Sequence, residues 1–570
     1  MPDEAIMTKE VPYFDVICVG GGGAGVTAAV VASQHGAHVA LLSKEPIGYG
    51  TTRLALGAMA TVGLVSGDSP LLLFKEIMEE GQYFNHKGLA MVLAQGAAES
   101  VTTLESFGHM FKRDTYGSPI AFRMGKHRFE RTLVSPGEGI SIGQALRAAC
   151  ARSGVEVFEE TAATKLLVEG GQIKGVVCYD LATGNVFVLG TDHVILATGG
   201  AGWLYFPHTD VAKSVTGDGY ALALAAGCEL VDMEQVIITP FAVSPRSSAY
   251  GFHCGIPVTE VLGGLLKDKE GNIIIEDFRR MSQAELSMMM QKMIRNGRGT
   301  KEGCLLLDLS LTVKTEEGKK LHQVLKEGGF LEIIRFAQGQ KAYEWQVPIE
   351  VSPTVHYNIG GIRVDENLST PVIGLYAAGE VQGGIHGLSR LSSLALTDLF
   401  VFGKKVGEAT GKRRKNQLSG TIWDKAQEEA GRIRSFVGMN GHHRPICLMQ
   451  RLQKVMWEEV GAFRNRAGLL KAIAVTDEIE EMSKDLKISN SRTYNQKVLD
   501  AIELGFMIKA ARSIVFSSLA REESRGSHVR TDFLGKSDRL PNGSVVSWEE
   551  NGKIRTRMED NSTWKAQPRA

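Results

Sequence analysis

Cysteine is sparse and unpaired in this 570-residue chain. Its seven thiols (Cys18, Cys150, Cys178, Cys228, Cys254, Cys304 and Cys447) form no Cys-x-x-Cys pair and make an odd total. That pattern excludes a cysteine-ligated iron–sulfur cluster built from this chain alone, and it fits a reducing compartment where thiols are small core residues. No metal site is expected. Apolar runs of 18 or more residues are also missing, so no segment is expected to span a bilayer. Met1–Glu10 has no basic stretch followed by an apolar one, so no secretory signal is expected. The expected location is the cytoplasm, or the periphery of a membrane reached through a partner. Nor is there an excess charge: 64 Lys and Arg balance 64 Asp and Glu, which argues against a dedicated nucleic-acid binder. The basic run Lys412-Arg413-Arg414-Lys415 reads as a solvated loop. Proline is scarce at 16, whereas glycine reaches 65, well above the usual ~7%. Excess glycine without proline points to tight turns where backbone comes close to something.

What is present is ordinary globular composition, 43% hydrophobic and 22% charged, with length for about two to four domains. Asp15–Val19 is a short apolar run that stops at Gly20-Gly21-Gly22-Gly23-Ala24-Gly25. An Ala/Val-rich stretch follows to Ser33, then Gly36, then Val39–Leu42. This predicts strand, glycine turn, helix, strand, the opening unit of a dinucleotide-binding fold. Two further buried strands are expected at His193–Ala197 and Gly374–Ala378, each ending at glycine. One nucleotide domain is therefore assembled from separated pieces. From about Phe241 to Glu350 the texture turns charged and mixed, with a hairpin at Lys267–Glu276 and a helix at Ser282–Arg295, as in an inserted domain. Four long helices are expected at Ala426–Phe436, Met449–Val460, Leu469–Leu486 and Tyr494–Arg521. Beyond Arg521 the tail is polar, with a turn signal at Pro541-Asn542-Gly543.

Gly20-x-Gly22-x-x-Gly25 has the spacing of a phosphate-binding turn. Its glycines allow a tight turn, close backbone approach to a pyrophosphate, and helix-on-strand packing, and the helix N-terminus receives the anion. The acidic residue usual at the end of the second strand is absent, and Ser43-Lys44 stands there. A hydroxyl still bonds a ribose, but nothing at this position selects NAD.

With Ala197-Thr198-Gly199-Gly200, Thr216-Gly217-Asp218-Gly219, Asp232-Met233-Glu234, Pro353–Ile362, Ala377-Ala378-Gly379-Glu380, Gly384–Leu391 and Glu523–His528, the chain resembles the flavoprotein subunits of succinate dehydrogenase and fumarate reductase, and L-aspartate oxidase. The resemblance runs in order over about residues 13–540. It implies an α/β fold: a Rossmann-like FAD-binding domain in two parts (12–240 and 351–415), an inserted α+β capping domain (241–350), a C-terminal helical bundle (416–521) and a tail (522–570). It also implies FAD held by Gly20, Gly22, Gly23, Ala24, Gly25, Ser43, Lys44, Thr51, Thr52, Gly57, Ala197, Thr198, Gly199, Asp218, Glu380, Arg390, Ser393 and Leu394. Glu380 is similar to the family glutamate that reaches the ribityl chain. Thr51 stands where the family often carries a histidine joined covalently to flavin. Threonine has no ring nitrogen, so FAD is expected to be non-covalent. Leu56 replaces the usual glutamine nearby.

On the substrate side, His356 and Arg390 match two family binding residues, and Thr259 and Glu260 resemble the Thr-Glu pair near one carboxylate. Other matches are lost. Thr239 replaces a histidine, Val261–Leu265 replaces an Arg-Gly-Glu-Gly run, and Met289-Met290 falls where the family has its proton-carrying arginine, unless Arg279, Arg280 or Arg295 stands in. The cap side of the pocket is thus expected to be apolar, although a Met run is also ordinary core. His386 is open between packing and the site, while Arg525 and His528 read as structural. The resemblance implies an FAD-dependent oxidoreductase moving hydride between flavin N5 and a carbon near a carboxylate or carbonyl. The expected substrate is a carboxylate or acyl compound other than plain succinate or fumarate, with electrons exchanged through an iron–sulfur partner subunit. The alternatives are an aspartate-oxidase-like flavoprotein and an electron-transfer subunit with a decayed site.

Overall fold

The computed structural model describes residues 11–258, 261–410, 420–537 and 543–561. The basic run 412–415 and Pro541-Asn542 lie outside the described residues.

A five-stranded parallel sheet forms the centre, in the order Leu375–Ala377, Val194–Leu196, Val16–Val19, Val39–Leu42, Glu156–Phe158. Residues 16–19, 39–42 and 194–196 are buried throughout, as expected for strands covered on both faces. The helix Gly23–Gln34 follows the first strand, as predicted, and packs on the helix Leu394–Ala409. A Cβ at Gly403 would stand 2.7 Å from the Ala24 carbonyl oxygen, so the two backbones meet where only glycine fits. Six of the seven cysteines are buried, all but Cys447.

The inserted segment carries its own apolar core around Phe241, Phe278, Leu286, Met290, Leu305 and Trp345. Its sheet runs Val236–Ala242, Ile349–Asn358, Leu305–Asp308, Leu265–Lys267, Ile273–Ile275, all antiparallel. The expected hairpin is there, with Gly271 at φ +86 in its turn and Asp268 accepting the amides of Glu270 and Asn272. A capping box of Ser282 and Glu285 opens the helix Gln283–Met293. Four C-terminal helices span Gly420–Phe436, Pro445–Val460, Arg466–Met482 and Gln496–Ala520. Together these elements make an α/β protein with a mixed cap and a helical C-terminal region. Among the described residues no helix is long and apolar enough to cross a membrane.

The polar tail departs from its reading as a mere tail. Gly543–Glu550 and Lys553–Asp560 form an antiparallel hairpin that pairs with Leu230–Val231, extending a second sheet. Asn551 and Gly552 turn it at φ +50 and +73, the conformation that Asn-Gly favours between alternating apolar and polar residues.

Tail, bundle and nucleotide domain are tied together by Arg521, which is wholly buried. Its Nε donates to Glu234 at 2.6 Å, Nη1 to Glu523 at 2.9 Å and Nη2 to Asp232 at 3.0 Å. Asp232 also accepts from Ser544 Oγ and the Val545 amide of the hairpin. Burial and Glu234 push the Asp232 carboxyl up, and Arg521 pulls it back. Arg521→Met leaves buried carboxylates uncompensated, and we expect a loss of about 3–5 kcal/mol in denaturant unfolding. Without the guanidinium the Asp232 carboxyl loses the charge that pulls it down and is raised further in the folded protein. A raised carboxyl destabilises once pH exceeds its unfolded value, so the deficit should be larger at alkaline than at acidic pH. A deficit independent of pH would refute this account.

Candidate functional site

The carboxyl ends of the parallel strands, the cap and the 389–396 segment enclose a cavity of about 780 Å³. At one end lies the glycine turn. Gly20 has φ +123, and a Cβ there would stand 2.2 Å from the Ala197 carbonyl oxygen; a Cβ at Gly25 would stand 1.8 Å from that of Gly20. These two glycines set how closely helix and strand approach. At Gly22 an added Cβ would meet only Thr52 Oγ1, at 3.5 Å, so the backbone lies open for a ligand to come close. Gly22 provides no side-chain cap, and the first turn has no acidic residue. The helix therefore offers amides and its positive end to an anion. Thr52 takes one of those amides, accepting from Gly23 at 3.1 Å.

Along the floor, Ser43 Oγ donates to the Glu45 carbonyl at 2.6 Å. Lys44 Nζ is held by Asp218 at 2.7 Å, Glu503 at 2.6 Å and Thr216 at 2.9 Å. These acids raise its ammonium above the usual lysine range despite burial. Thr51 Oγ1 accepts the Ala212 amide at 3.2 Å. Glu380 accepts the Asn358 amide at 2.9 Å, and burial pushes its carboxyl up to about 7.

The opposite wall is polar and cationic. Arg390 lies over the Tyr357 ring at 5.1 Å, donates to the Leu391 carbonyl, and keeps a buried Nε with no hydrogen-bond partner among the described residues. Burial lowers its guanidinium from the usual arginine value. His356 comes in on the strand Ile349–Asn358, with Nδ1 2.7 Å from Asp210 Oδ2. His253 faces it from a loop bridged to Ala242, the two rings 6.0 Å apart. The buried Thr239 and Thr198 hydroxyls on the cavity wall likewise lack partners among the described residues.

Sixteen of the residues singled out as cofactor-binding line this cavity: Gly20, Gly22, Gly23, Ala24, Ser43, Lys44, Thr51, Thr52, Gly57, Ala197, Thr198, Gly199, Asp218, Glu380, Arg390 and Ser393. His356 does too. Gly25 does not, being packed against Gly20, and Leu394 is a core side chain. Thr259 and Glu260 lie outside the described residues. His386 pairs with Asp398 at 3.2 Å away from the cavity, and His528 is buried against Arg464 and the Arg521 carbonyl. The expectation of an apolar cap side needs correction. Met290 is cap core, none of Met288–Met290 reaches the cavity, and the cap wall carries Arg279 and Arg280 instead. Arg279 is engaged by Asp277 through Nε at 3.0 Å and Nη2 at 3.1 Å. Arg295 stacks on Phe463 elsewhere. His253 and Asp210 went unnoticed in the sequence, where both stand in irregular loops without periodicity.

The open backbone at Gly22, the uncapped helix end and the orphaned polar atoms on the walls fit a large anionic cofactor such as FAD. Comparison with known proteins agrees. Residues 15–396 match the family described as FAD binding domain, and residues 449–569 match fumarate reductase flavoprotein C-term. The chain is 32% identical over 539 residues to a fumarate reductase (CoM/CoB) subunit from Methanothermobacter marburgensis, covering 92% of this chain and 96% of the relative. It is 33% identical to an uncharacterized FAD-dependent oxidoreductase of Methanocaldococcus jannaschii, covering 91% and 93%. A solved variant of Escherichia coli quinol fumarate reductase superposes with a TM-score of 0.86 at 27% identity, covering 97% of each chain. The cofactor of this protein is FAD, and the chain belongs to the family of FAD-dependent oxidoreductases that comprises the flavoprotein subunits of fumarate reductase and succinate dehydrogenase.

Proposed function

We propose that this chain is the flavin-bearing subunit of an oxidoreductase that reduces or oxidises the carbon–carbon bond next to a carboxylate, exchanging electrons with an iron–sulfur partner. The reading rests on one observation above the others. Arg390, His356 and His253 converge on the same cavity as the glycine turn, with a buried guanidinium donor left over for a ligand. Bound FAD supplies two-electron hydride chemistry. The chain's own residues do the rest: the 20–24 turn would hold the cofactor's charged middle, Glu380 would meet its polyol, and Arg390 would clamp a carboxylate. The iron–sulfur partner is inferred because this chain has no cysteine spacing for a cluster and the Methanothermobacter relative is named as one subunit of a reductase.

A cap side without cationic groups would exclude plain fumarate. Arg279 and Arg280 remove that argument, and His253 adds a neutral donor, so a second carboxylate would find partners there. The substrate class therefore includes dicarboxylates alongside larger unsaturated carboxylates. Viologen-coupled assays on the holoprotein, with fumarate beside a bulkier unsaturated acid, measure this. Turnover with neither sinks the proposal.

Arg390→Lys keeps a charge but loses the planar fork. We expect turnover to fall about 10²–10³-fold while flavin content is retained. Unchanged turnover would remove Arg390 from the site. Because Thr51 offers no imidazole, flavin is expected in the filtrate after acid denaturation and ultrafiltration, and retention on the polypeptide would contradict a non-covalent cofactor.

A further inference from the structure

We propose that Glu80 and His127 are positioning residues for Arg390, bracing the loop that carries the guanidinium at the residue before it and at the second residue after it. The proposal rests on the carboxylate clamp assigned to Arg390 above and says what holds that clamp in place.

Arg390 needs such support. Its guanidinium meets the Tyr357 ring at 5.1 Å and the Leu391 carbonyl at 3.1 Å, and no carboxylate pairs with it among the described residues. Neither contact fixes a direction, since a ring face tolerates sliding and the Leu391 carbonyl moves with the same loop. A clamp that drifts by about 1 Å forfeits much of its effect. The loop is also strained. Ser393 holds φ +59, a left-handed conformation that a residue with a Cβ keeps only where its surroundings over-determine it.

Two side chains supply that constraint. Glu80, the last residue of the helix Pro70–Glu80, accepts from Ser389 Oγ at 2.6 Å. His127 Nε2 lies 2.7 Å from the Ser392 carbonyl oxygen, and because a carbonyl only accepts, that nitrogen donates. The two contacts flank Arg390. Packing is close at the second, where a Cβ on Gly125 would stand 2.8 Å from Ser392 Cβ. The Leu388 amide on the Gly81 carbonyl adds a backbone tie that no side-chain substitution removes, so loss of a brace frees the loop's tip without releasing its course.

The braces are held from behind by a ladder of charge. Glu76, Glu79 and Glu80 share one face of their helix and repel one another if left unpaired. The segment 126–131 puts a cation against each: Lys126 on Glu80 at 2.7 Å, Arg128 on Glu79 at 2.6 Å and Arg131 on Glu76 at 3.3 Å. His127 Nδ1 stands 3.5 Å from Glu76, and Arg131 also meets Asp68 at 2.6 Å. Lys126 and Arg128 are exposed and add little. Glu76, His127 and Arg131 are buried, so the inner half of the ladder sets the position. Glu79, Glu80, Gly125 and Lys126 line the same cavity as Arg390.

The experiment uses FAD-loaded full-length protein and two readouts. One is malonate binding, followed by the perturbation of flavin absorbance. The other is kcat/KM with reduced viologen and the better of fumarate and a bulkier unsaturated acid. Ser389→Ala, Glu80→Ala and His127→Leu should each weaken malonate binding about five- to tenfold, with flavin content retained. Glu80→Gln keeps an acceptor and His127→Gln keeps a donor, so both should recover most of that loss. A double-mutant cycle decides. Braces act through Arg390, so in an Arg390→Lys background the same substitutions should change either readout by less than about twofold. A merely structural role gives the same factor in both backgrounds. Ser389→Ala removes a single oxygen and keeps the test in force if His127→Leu does not fold. Equal losses in the two backgrounds, or no loss from Ser389→Ala, overturn the proposal. If Arg390→Lys leaves both readouts unchanged, or the wild type neither binds malonate nor reduces an unsaturated acid, the clamp reading falls and takes the braces with it. If Arg390→Lys is impaired but the cycle is additive, only the braces fall.

Discussion

Everything near the cofactor site depends on how closely one helix can sit on one strand. A methyl group on Gly25 would overlap the Gly20 carbonyl at 1.8 Å, and one on Gly20 would overlap Ala197 at 2.2 Å. Removing those side chains lets the helix Gly23–Gln34 begin directly above the sheet with its amides uncapped and facing the cavity. The neighbouring strand ends then deliver Thr198 and Glu380 to the same opening, because parallel strands present their carboxyl ends on one side. The glycine excess of the sequence is the visible trace of this geometry.

Pieces remote in sequence are held around that opening by buried charge rather than by apolar contact alone. Lys44 joins the end of the second strand to Asp218 and to Glu503 of the longest bundle helix. Arg521 joins the end of that helix to Asp232, Glu234 and Glu523. Desolvating such groups costs several kcal/mol per ion, so they are weak contributors to net stability. What they add is discrimination. An alternative packing of bundle on sheet would strand at least one of these charges in apolar surroundings, so the clusters specify one docking among many.

Legibility in the sequence followed the physics of each signal. The strand–turn–helix at 15–42 was readable because apolar run, glycine spacing and helix periodicity agree over one short stretch. The four C-terminal helices were readable from length and periodicity, with ends misplaced by a few residues; Pro445, for instance, opens a helix read as starting at Met449. The terminal hairpin was legible but missed. Asn551-Gly552 lies between two alternating strands, and the polar composition drew attention away from it. His253 and Asp210 had no local signal at all. Their meaning comes from contacts across 103 and 146 residues of chain to His356, which no periodicity encodes. Met288–Met290 misled for a related reason. A helix presents only one face to a cavity, and this one turns Met290 into the cap's own core, while the loop before it brings Arg279 and Arg280 to the wall.

The two histidines show how one side chain takes opposite tautomers from what its Nδ1 meets. The Asp210 carboxylate accepts at Nδ1 of His356, so that nitrogen carries a proton and Nε2 is the one turned away from it. A backbone amide at Nδ1 of His253 forces the opposite tautomer, and burial beside Arg390 opposes any charge. Had both rings carried charge, they would repel each other and Arg390 in a space with little water. The two rings therefore stand on one wall as opposite tautomers, beside a guanidinium that supplies its fixed positive charge.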